Sequence, residues 1–340
     1  MRCIVADVGG TTLRTAVWDG TTGTLSGVRR TPVRGTGGAD AADVRQVQRT
    51  VLDQLAQEIQ AVRAAPEGQG AEAVGIAFAG PVTAAGVVTG APTVWGGGGP
   101  ALPLAELLGQ RTGLPVTVVN DTTAAAWRYA SPGGPSFCLF TVSSGISNKV
   151  FHNGEVLVGA DGHGGELGHL PCDTSPGAPR CDCGGRGHLG ALASGRGILA
   201  GARRRAGDLP SAFAASRLAA LCDGDPGRLT NEALVQAVRA GDGFATDVLR
   251  AGLAHLAHAL TSVFLTTGIR SYVFVGGFAQ AVGERFTELL AEQLLRVGCF
   301  GLTERETRDM LRLGLPDDDH GLVGAGRMLC RAPLAHAVPA

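Results

Sequence analysis

Apolar residues along the chain group into strand-length runs and longer helical stripes. A buried-type strand from Ile4 ends in Asp7, turns on Gly9 and Gly10, and re-enters a second strand toward Gly20. Val44, Val47, Val51, Leu52, Leu55, Ile59 and Val62 recur at spacings of three and four, which predicts a helix over 39–64 with one face on a sheet. Short apolar strands follow at Ala73 to Phe78, ending in Ala79-Gly80-Pro81, and at Val116 to Val119, ending in Asn120-Asp121 before a helical stretch. Polar residues thus collect at strand ends, the edge where open α/β sheets bind ligands. Between these strands, Thr93 to Pro100 is a glycine-rich loop around Trp95, which either folds over a ligand or is a flexible connection.

The opening hairpin recurs. A strand from Phe137 reaches Val142, a small-residue turn spans Ser143 to Ser147, and another strand runs on to Asn153-Gly154, about 135 residues after the first copy. Glycines at such turns let backbone N–H groups approach an anion, and Asp7 supplies a carboxylate suited to magnesium on a triphosphate. An ordinary Gly-Gly hairpin is the alternative for either copy alone. Two copies suggest two related α/β lobes closing over a nucleotide, and the chain has neither a P-loop motif nor a strand-linked G-x-G-x-x-G. Further on, helices are predicted at 213–222, 230–240 and 243–267. A strand from Ser271 to Val275 runs into Gly276-Gly277, and a helical tail covers 321–330. Residues 161–197 read as a long loop dense in Gly, Cys, His and Pro, which needs an internal staple.

At 340 residues and 44% hydrophobic content the chain can bury two ordinary cores. A net charge of -1, with basic residues scattered, gives no electrostatic case for nucleic acid or an anionic membrane, so a small-molecule partner is expected. No apolar run, Leu256 to Leu265 included, reads as a membrane span, and no signal peptide precedes the first strand. A cytoplasmic location is therefore expected, with the eight cysteines as thiols or metal ligands. Lys149 is the single lysine in an arginine-rich chain.

His169, Cys181, Cys183 and His188 form H-x11-C-x-C-x4-H, a donor set matching tetrahedral structural zinc, with Cys172 as rival fourth ligand. His255 and His258 read as packed core residues, and Asp317 to Asp319 as a solvated loop and N-cap cluster. Asp121, after a strand and before a helix, suits a general base for phosphoryl transfer, with Asn120 orienting the same substrate. An Asn-Asp helix cap is compatible with that role. Glu166, three residues before His169, would be fixed for sugar hydroxyls by a metal-ordered loop.

These segments together resemble the ROK family of sugar kinases and sugar-responsive repressors, a branch of the actin-like ATPase superfamily. They are DVGGTTLRTAV at Asp7 to Val17, GIAFAGPV at Gly75 to Val82, NDTTAAAW at Asn120 to Trp127, GADGHGGELGH at Gly159 to His169, CDCGGRGHLGALASG at Cys181 to Gly195, and VFVGGF at Val273 to Phe278. The resemblance spans nearly the whole chain. It implies an α/β, two-lobed actin-like ATPase (ribonuclease H-like) fold with a cleft between lobes, one lobe formed by 1–119 plus 318–340 and the larger by 120–317, carrying the zinc loop. It assigns Asp7, Gly9, Gly10, Thr11 and Arg14, with Ser144 and Gly145 of the second hairpin, to ATP phosphates, and Gly276 and Gly277 to the adenosine. Gly80, Asn120, Asp121, Glu166 and His169 would line the sugar site, one His169 nitrogen facing zinc and the other a hydroxyl. ATP, Mg2+ and structural Zn2+ are the implied cofactors, and a homodimer the implied assembly.

Several positions depart from the family pattern. Ser143-Ser144-Gly145-Ile146-Ser147-Asn148-Lys149 replaces Gly-Thr-Gly-Ile-Gly-Gly-Gly, which is expected to alter ATP contacts. His188 replaces a zinc-binding cysteine, and Ala79 a usual proline. The segment Pro92-Thr93-Val94-Trp95 lacks the usual asparagine of the sugar-side loop. Gly190 stands where sugar kinases commonly carry a glutamate that grips hydroxyls. Loss of that acceptor weakens plain glucose binding by about 1 to 3 kcal/mol. The expectation is therefore a kinase acting on a hydroxyl, a primary one, of a modified hexose or a sugar-like cyclitol. The alternative is a non-catalytic or degenerate sugar-binding regulator. Repressor relatives carry an N-terminal winged helix, for which a phosphate hairpin beginning by residue 4 leaves no room.

Overall fold

A computed structural model of the chain describes residues 1–36 and 43–331. It divides into two compact units, each built on its own sheet. The first comprises Met1–Gly134, Gly154–Gly164 and the described residues from Asp317 on. Its sheet has the order β3-β2-β1-β4-β5, with β1 at Arg2–Val8, β2 at Thr12–Asp19, β3 at Thr24–Pro32, β4 at Ala73–Phe78 and β5 at Val116–Asn120. The first three strands are antiparallel, while β4 and β5 run parallel to β1. Every residue of β4 is buried, which is why it reads as a continuous apolar run rather than an alternating one.

One face of that sheet is covered by the helix Val44–Ala64, which buries Val51, Leu52, Leu55, Ile59 and Val62, the spacing seen in the sequence. Asp43 caps it by accepting from the Gln46 N–H; the predicted start at 39–42 lies outside the described residues. The opposite face carries the helices Asp121–Tyr129 and His320–Leu329. These two touch backbone to backbone: a Cβ on Gly324 would sit 1.6 Å from the Ala124 carbonyl oxygen. That contact is why residues 120–134 group with the first unit, whereas the sequence had suggested a division at 119/120. Trp95 is no loop tip. Pro92–Trp95 forms one helical turn, and the indole is buried against Phe78 with ring centroids 5.4 Å apart.

The second unit, Pro135–Asn153 and Gly165–Pro316, orders its strands Leu311–Leu313, Tyr272–Val275, β6 at Phe137–Val142 and β7 at Ile146–His152. β6 is parallel to Tyr272–Val275 and antiparallel to β7. The turn between β6 and β7 is shorter than predicted, because Ser147 already pairs with Thr141. The core helix Gly243–Thr267 starts at the Asp242 cap and stops at Gly268, whose φ of 71 suits the left-handed end of a helix. Among the described residues it is the one helix long and apolar enough to cross a membrane, and most of its apolar stretch is buried within the chain. His255 on this helix is half-buried and His258 exposed, so the prediction of two core histidines fails: the helix turns its other face, Leu253, Leu256 and Leu260, inward. The stretch predicted as one helix over 213–222 is two short ones, Pro210–Ala214 and Arg217–Ala220. The loop predicted for 161–197 gives way to helix from Leu189.

Candidate active site

In the first unit, the β1–β2 register places Asp7 opposite Arg14, and the Arg14 guanidinium bonds the Asp7 carboxylate. Arg14 also pairs with Asp318 at 3.0 Å, and Arg30 reaches the same carboxylate at 3.1 Å. Asp317 is paired with Arg128, and Asp319 stands at the helix start without a side-chain cap bond. The acidic triplet is thus an ion-pair cluster rather than a simple N-cap. Burial pushes the Asp7 carboxyl up to about 6; Arg14 opposes this, while the negative charge of Asp121 adds to it. At the turn, the Gly9 N–H donates to the Thr12 carbonyl at 3.0 Å. The two glycines differ. A Cβ on Gly10 would strike the Thr93 carbonyl oxygen at 2.7 Å, so packing alone demands glycine there, whereas one on Gly9 would make only an ordinary contact at 3.4 Å. The Thr11 side chain is exposed beside them.

Asp121 begins its helix directly after β5. Its Oδ1 accepts from Asn120 Nδ2 at 2.9 Å, the Thr122 N–H at 2.7 Å and the Thr122 hydroxyl at 3.3 Å, so the carboxylate orientation is set by the helix start itself. Asn120 is used up in doing this. Its Oδ1 caps the N–H groups of Thr122 and Thr123, and its amide hydrogens go to Asp121 and the Gly80 carbonyl. These bonds tie Asn120 to the orientation of Asp121. Gly80 has φ 151, and a Cβ there would lie 2.2 Å from the Gly90 carbonyl oxygen, so close backbone packing accounts for it.

In the second unit, a cavity of about 670 Å³ is lined by Ser143 and Ser144 of the hairpin turn, by Gly277 and Phe278, and by Asn231, Glu232, Val235, Gln236 and Arg239 of the helix Asn231–Arg239. Gly276 is required by the fold, with φ 98 and Val142 backbone 2.7 Å from a would-be Cβ. Gly277 and Gly145 are not. A Cβ on Gly277 meets only the Ser143 hydroxyl at 3.9 Å, and one on Gly145 meets nothing within 4 Å. The helix Asn231–Arg239 was read from sequence only as a helix. Its polar and apolar positions alternate as on any amphipathic surface, so nothing marked it as a cavity wall.

Residues 165–169 lie along β7. The Gly165 carbonyl accepts from the Asn148 N–H at 3.3 Å, and the Leu167 N–H donates to the Asn148 side chain at 3.0 Å. The Lys149 amine meets Glu166 Oε1 at 3.3 Å. Asn148 and Lys149 thus bind this segment with their side chains. Next to it, one donor atom from each of His169, Cys181, Cys183 and His188 lies within 4.8 Å of every other. Cys183 Sγ is 3.2 Å from His188 Nδ1, Cys181 Sγ is 3.7 Å from His169 Nδ1, and the two rings meet edge to face at 5.8 Å. Cys172 is outside this group, which selects His188 over it as the fourth donor. Two thiols and two imidazoles at this separation fit a tetrahedral soft-metal site.

The chain belongs to the ROK family, whose sequence pattern it matches over residues 3–325. Among individual proteins, it is 51% identical over 325 residues to a C(7)-cyclitol 7-kinase of Streptomyces hygroscopicus subsp. jinggangensis, covering 96% of this chain and 93% of that one. It is 31% identical to a 2-epi-5-epi-valiolone 7-kinase of an Actinoplanes species, covering 95% and 91%. Among solved structures, a ROK family glucokinase from Streptomyces griseus, in complex with glucose and AMPPNP, superposes with a TM-score of 0.70 at 25% identity, covering 96% and 99%. The likenesses agree with a sugar or cyclitol kinase of the actin-like ATPase fold and do not favour a non-catalytic regulator.

Proposed function

We propose that this chain is an ATP- and magnesium-dependent kinase that phosphorylates a primary hydroxyl of a C7 cyclitol, with Asp121 as general base. The observation that carries the chemistry is the Asp121 carboxylate, held by three hydrogen bonds on one oxygen at the end of a parallel strand. Phosphoryl transfer needs a positioned acceptor for the hydroxyl proton and charge neutralisation on the phosphates, with little else from the protein. Gly9 and Gly145, glycines that packing does not demand, leave side-chain space free for phosphate oxygens to approach, and Thr11 and Ser144 add hydroxyls. Asp7 is the carboxylate for the metal ion carried by ATP, and Arg14 balances its charge. The cavity floored by Gly277 is the adenosine site, walled by the helix Asn231–Arg239.

Within the second unit, Glu166 and His169 are the residues assigned to the acceptor in this reading. The donor set His169, Cys181, Cys183 and His188 would hold a zinc ion that supplies order to residues 165–189; with four protein donors it has no open position for chemistry. The acceptor class rests on the likeness to the C(7)-cyclitol 7-kinase, together with Gly190, which contributes no side chain for a glucose hydroxyl. A homodimer belongs to the same reading, and sedimentation equilibrium checks it. The deciding experiment is an ADP-release assay across 2-epi-5-epi-valiolone, related cyclitols, glucose and N-acetylmannosamine, with the phosphorylated position read by phosphorus–proton NMR. Turnover of hexoses with none of cyclitols overturns the acceptor assignment.

A further inference from the structure

The single lysine of the chain is also one of its largest fully buried side chains. Every other one of the 29 basic residues is an arginine, and most of the arginine side chains in ion pairs are at the surface, so Lys149 is not part of a general basic coat. Its side chain is 3% exposed while its partner Glu166 is 50% exposed, so the amine is interior and the carboxylate faces outward. An ammonium taken out of water is costly unless it is paired and hydrogen-bonded. Here the pairing ties it to a carboxylate on a segment with little regular structure, only the single turn of 3-10 helix at Leu167–His169.

The neighbouring residue works to the same end. Asn148, 1% exposed, binds the Leu167 N–H with its side chain and the Gly165 carbonyl with its backbone, on either side of Glu166. Gly165 has φ 72, and a Cβ there would lie 2.2 Å from the Asn148 carbonyl and 3.1 Å from Lys149 Cδ, so the segment lies flush on β7 only because that residue is glycine. We infer that Lys149 is a positioning residue for the acceptor: through its ion pair it fixes the orientation of Glu166 for hydrogen bonding to an acceptor hydroxyl. The inference rests on the proposed assignment of Glu166 to the acceptor. It makes Lys149 a determinant of acceptor binding and not of nucleotide binding, although it belongs to the hairpin whose turn borders the nucleotide cavity.

The test uses full-length, metal-retaining protein with Lys149→Met, Glu166→Gln and the double variant. Hydrogen exchange reads the segment, and steady-state kinetics with 2-epi-5-epi-valiolone and ATP reads the site. Lys149→Met is expected to speed exchange at 165–170 while leaving 277–282 unchanged, and to raise the acceptor KM about tenfold or more with the ATP KM little changed. Glu166→Gln should raise the acceptor KM comparably, and the double variant should be no worse than the poorer single one, because both remove one interaction. Unchanged exchange at 165–170, a rise in the ATP KM in place of the acceptor KM, or multiplicative effects of the two substitutions each overturn it. If Lys149→Met does not fold, faster exchange at 165–170 in Glu166→Gln supports the inference and unchanged exchange overturns it. Wild-type protein that turns over no cyclitol refutes the proposed function instead, and the exchange comparison still decides whether Lys149 holds the segment.

Discussion

Asp7 and Arg14 are cross-strand partners in the first hairpin, and the guanidinium of one bonds the carboxylate of the other inside the unit. The pair explains how a carboxyl with side-chain exposure of only 10% is tolerated next to a glycine turn. It also shows that toleration is incomplete, because burial outweighs Arg14 and leaves the carboxyl raised to about 6.

Asp7→Asn follows from that balance. The folded protein holds the Asp7 proton up to about pH 6, while the unfolded chain releases it near 3.8, so wild-type stability falls as pH rises through this window. The loss is on the order of 2–3 kcal/mol above pH 6. Asparagine does not titrate, so in ATP-free protein the variant should be at least as stable as wild type at pH 7.5, the difference closing as pH falls toward 4. Urea denaturation at the two pH values measures it. Turnover should be lost in the variant, and in wild type kcat/KM for MgATP should decline below about pH 6 as the carboxylate protonates.

Asp121→Asn separates chemistry from folding. The amide keeps the shape of the side chain and its oxygen can still accept from the Thr122 N–H, so the melting temperature should shift little. A missing general base lowers kcat by about 10²–10⁴. Asn120→Ala should do the reverse in part: it uncaps the helix, costing about 1 kcal/mol, and lowers kcat by releasing Asp121. Thermal melts and single-turnover rates distinguish the two.

Much of this was legible in the sequence because the signals are local. The hairpins, the strand ends at Asn120-Asp121 and Gly276-Gly277, and the Cys/His spacing each depend on residues close in the chain, and the structure has them as strands, turns and a convergent donor set. What failed needed tertiary information. Trp95 looked like a loop residue because its partner Phe78 is on a distant strand, and the bond from Asn120 to the Gly80 carbonyl, 40 residues away, left no mark in the sequence. The pairing of Lys149 with Glu166, 17 residues further on, was likewise invisible in the sequence.

Gly277→Val probes the adenosine cavity without disturbing the fold. The space beyond its Cα is open apart from the Ser143 hydroxyl, so the branched side chain would occupy the cavity and the ATP KM should rise about tenfold or more, the acceptor KM staying near wild type. Gly276→Ala one residue earlier should instead lower stability by about 1–3 kcal/mol, because of φ 98 and the Val142 backbone. Steady-state kinetics at varied ATP and acceptor, with denaturation curves for the pair, report the contrast.

Metal analysis of undialysed protein should give close to one zinc per chain, and Cys181→Ser or Cys183→Ser close to none. The backbone bonds of the segment around these donors close mainly within the segment itself, such as Cys172 N–H to Gly187 at 2.8 Å, Cys181 N–H to Gly185 at 2.8 Å and Gly187 N–H to Pro179 at 2.8 Å. Chelation should therefore make 170–188 susceptible to limited proteolysis before the global melt, and the acceptor KM should rise as His169 loses its anchor. Zinc-free protein with full activity and an intact segment contradicts the assignment.

Gly190→Glu tests what sets the acceptor. Gly190 lies in the first turn of the helix Leu189–Ala193, immediately after the donor His188, and a Cβ there would come 3.1 Å from the Gly168 carbonyl, beside His169. That contact is tight enough to cost about 1 kcal/mol of stability but leaves room for the neighbouring turn to give. The new carboxylate would start beside the segment that carries Glu166 and His169 and add a hydrogen-bond acceptor for ring hydroxyls, worth about 1–3 kcal/mol when it pairs well. The expected result is a lower KM for glucose and a weaker preference for the cyclitol, seen as a fall of about tenfold in the ratio of the two kcat/KM values. If that ratio is unmoved in a folded, zinc-loaded variant, the discrimination does not reside at Gly190.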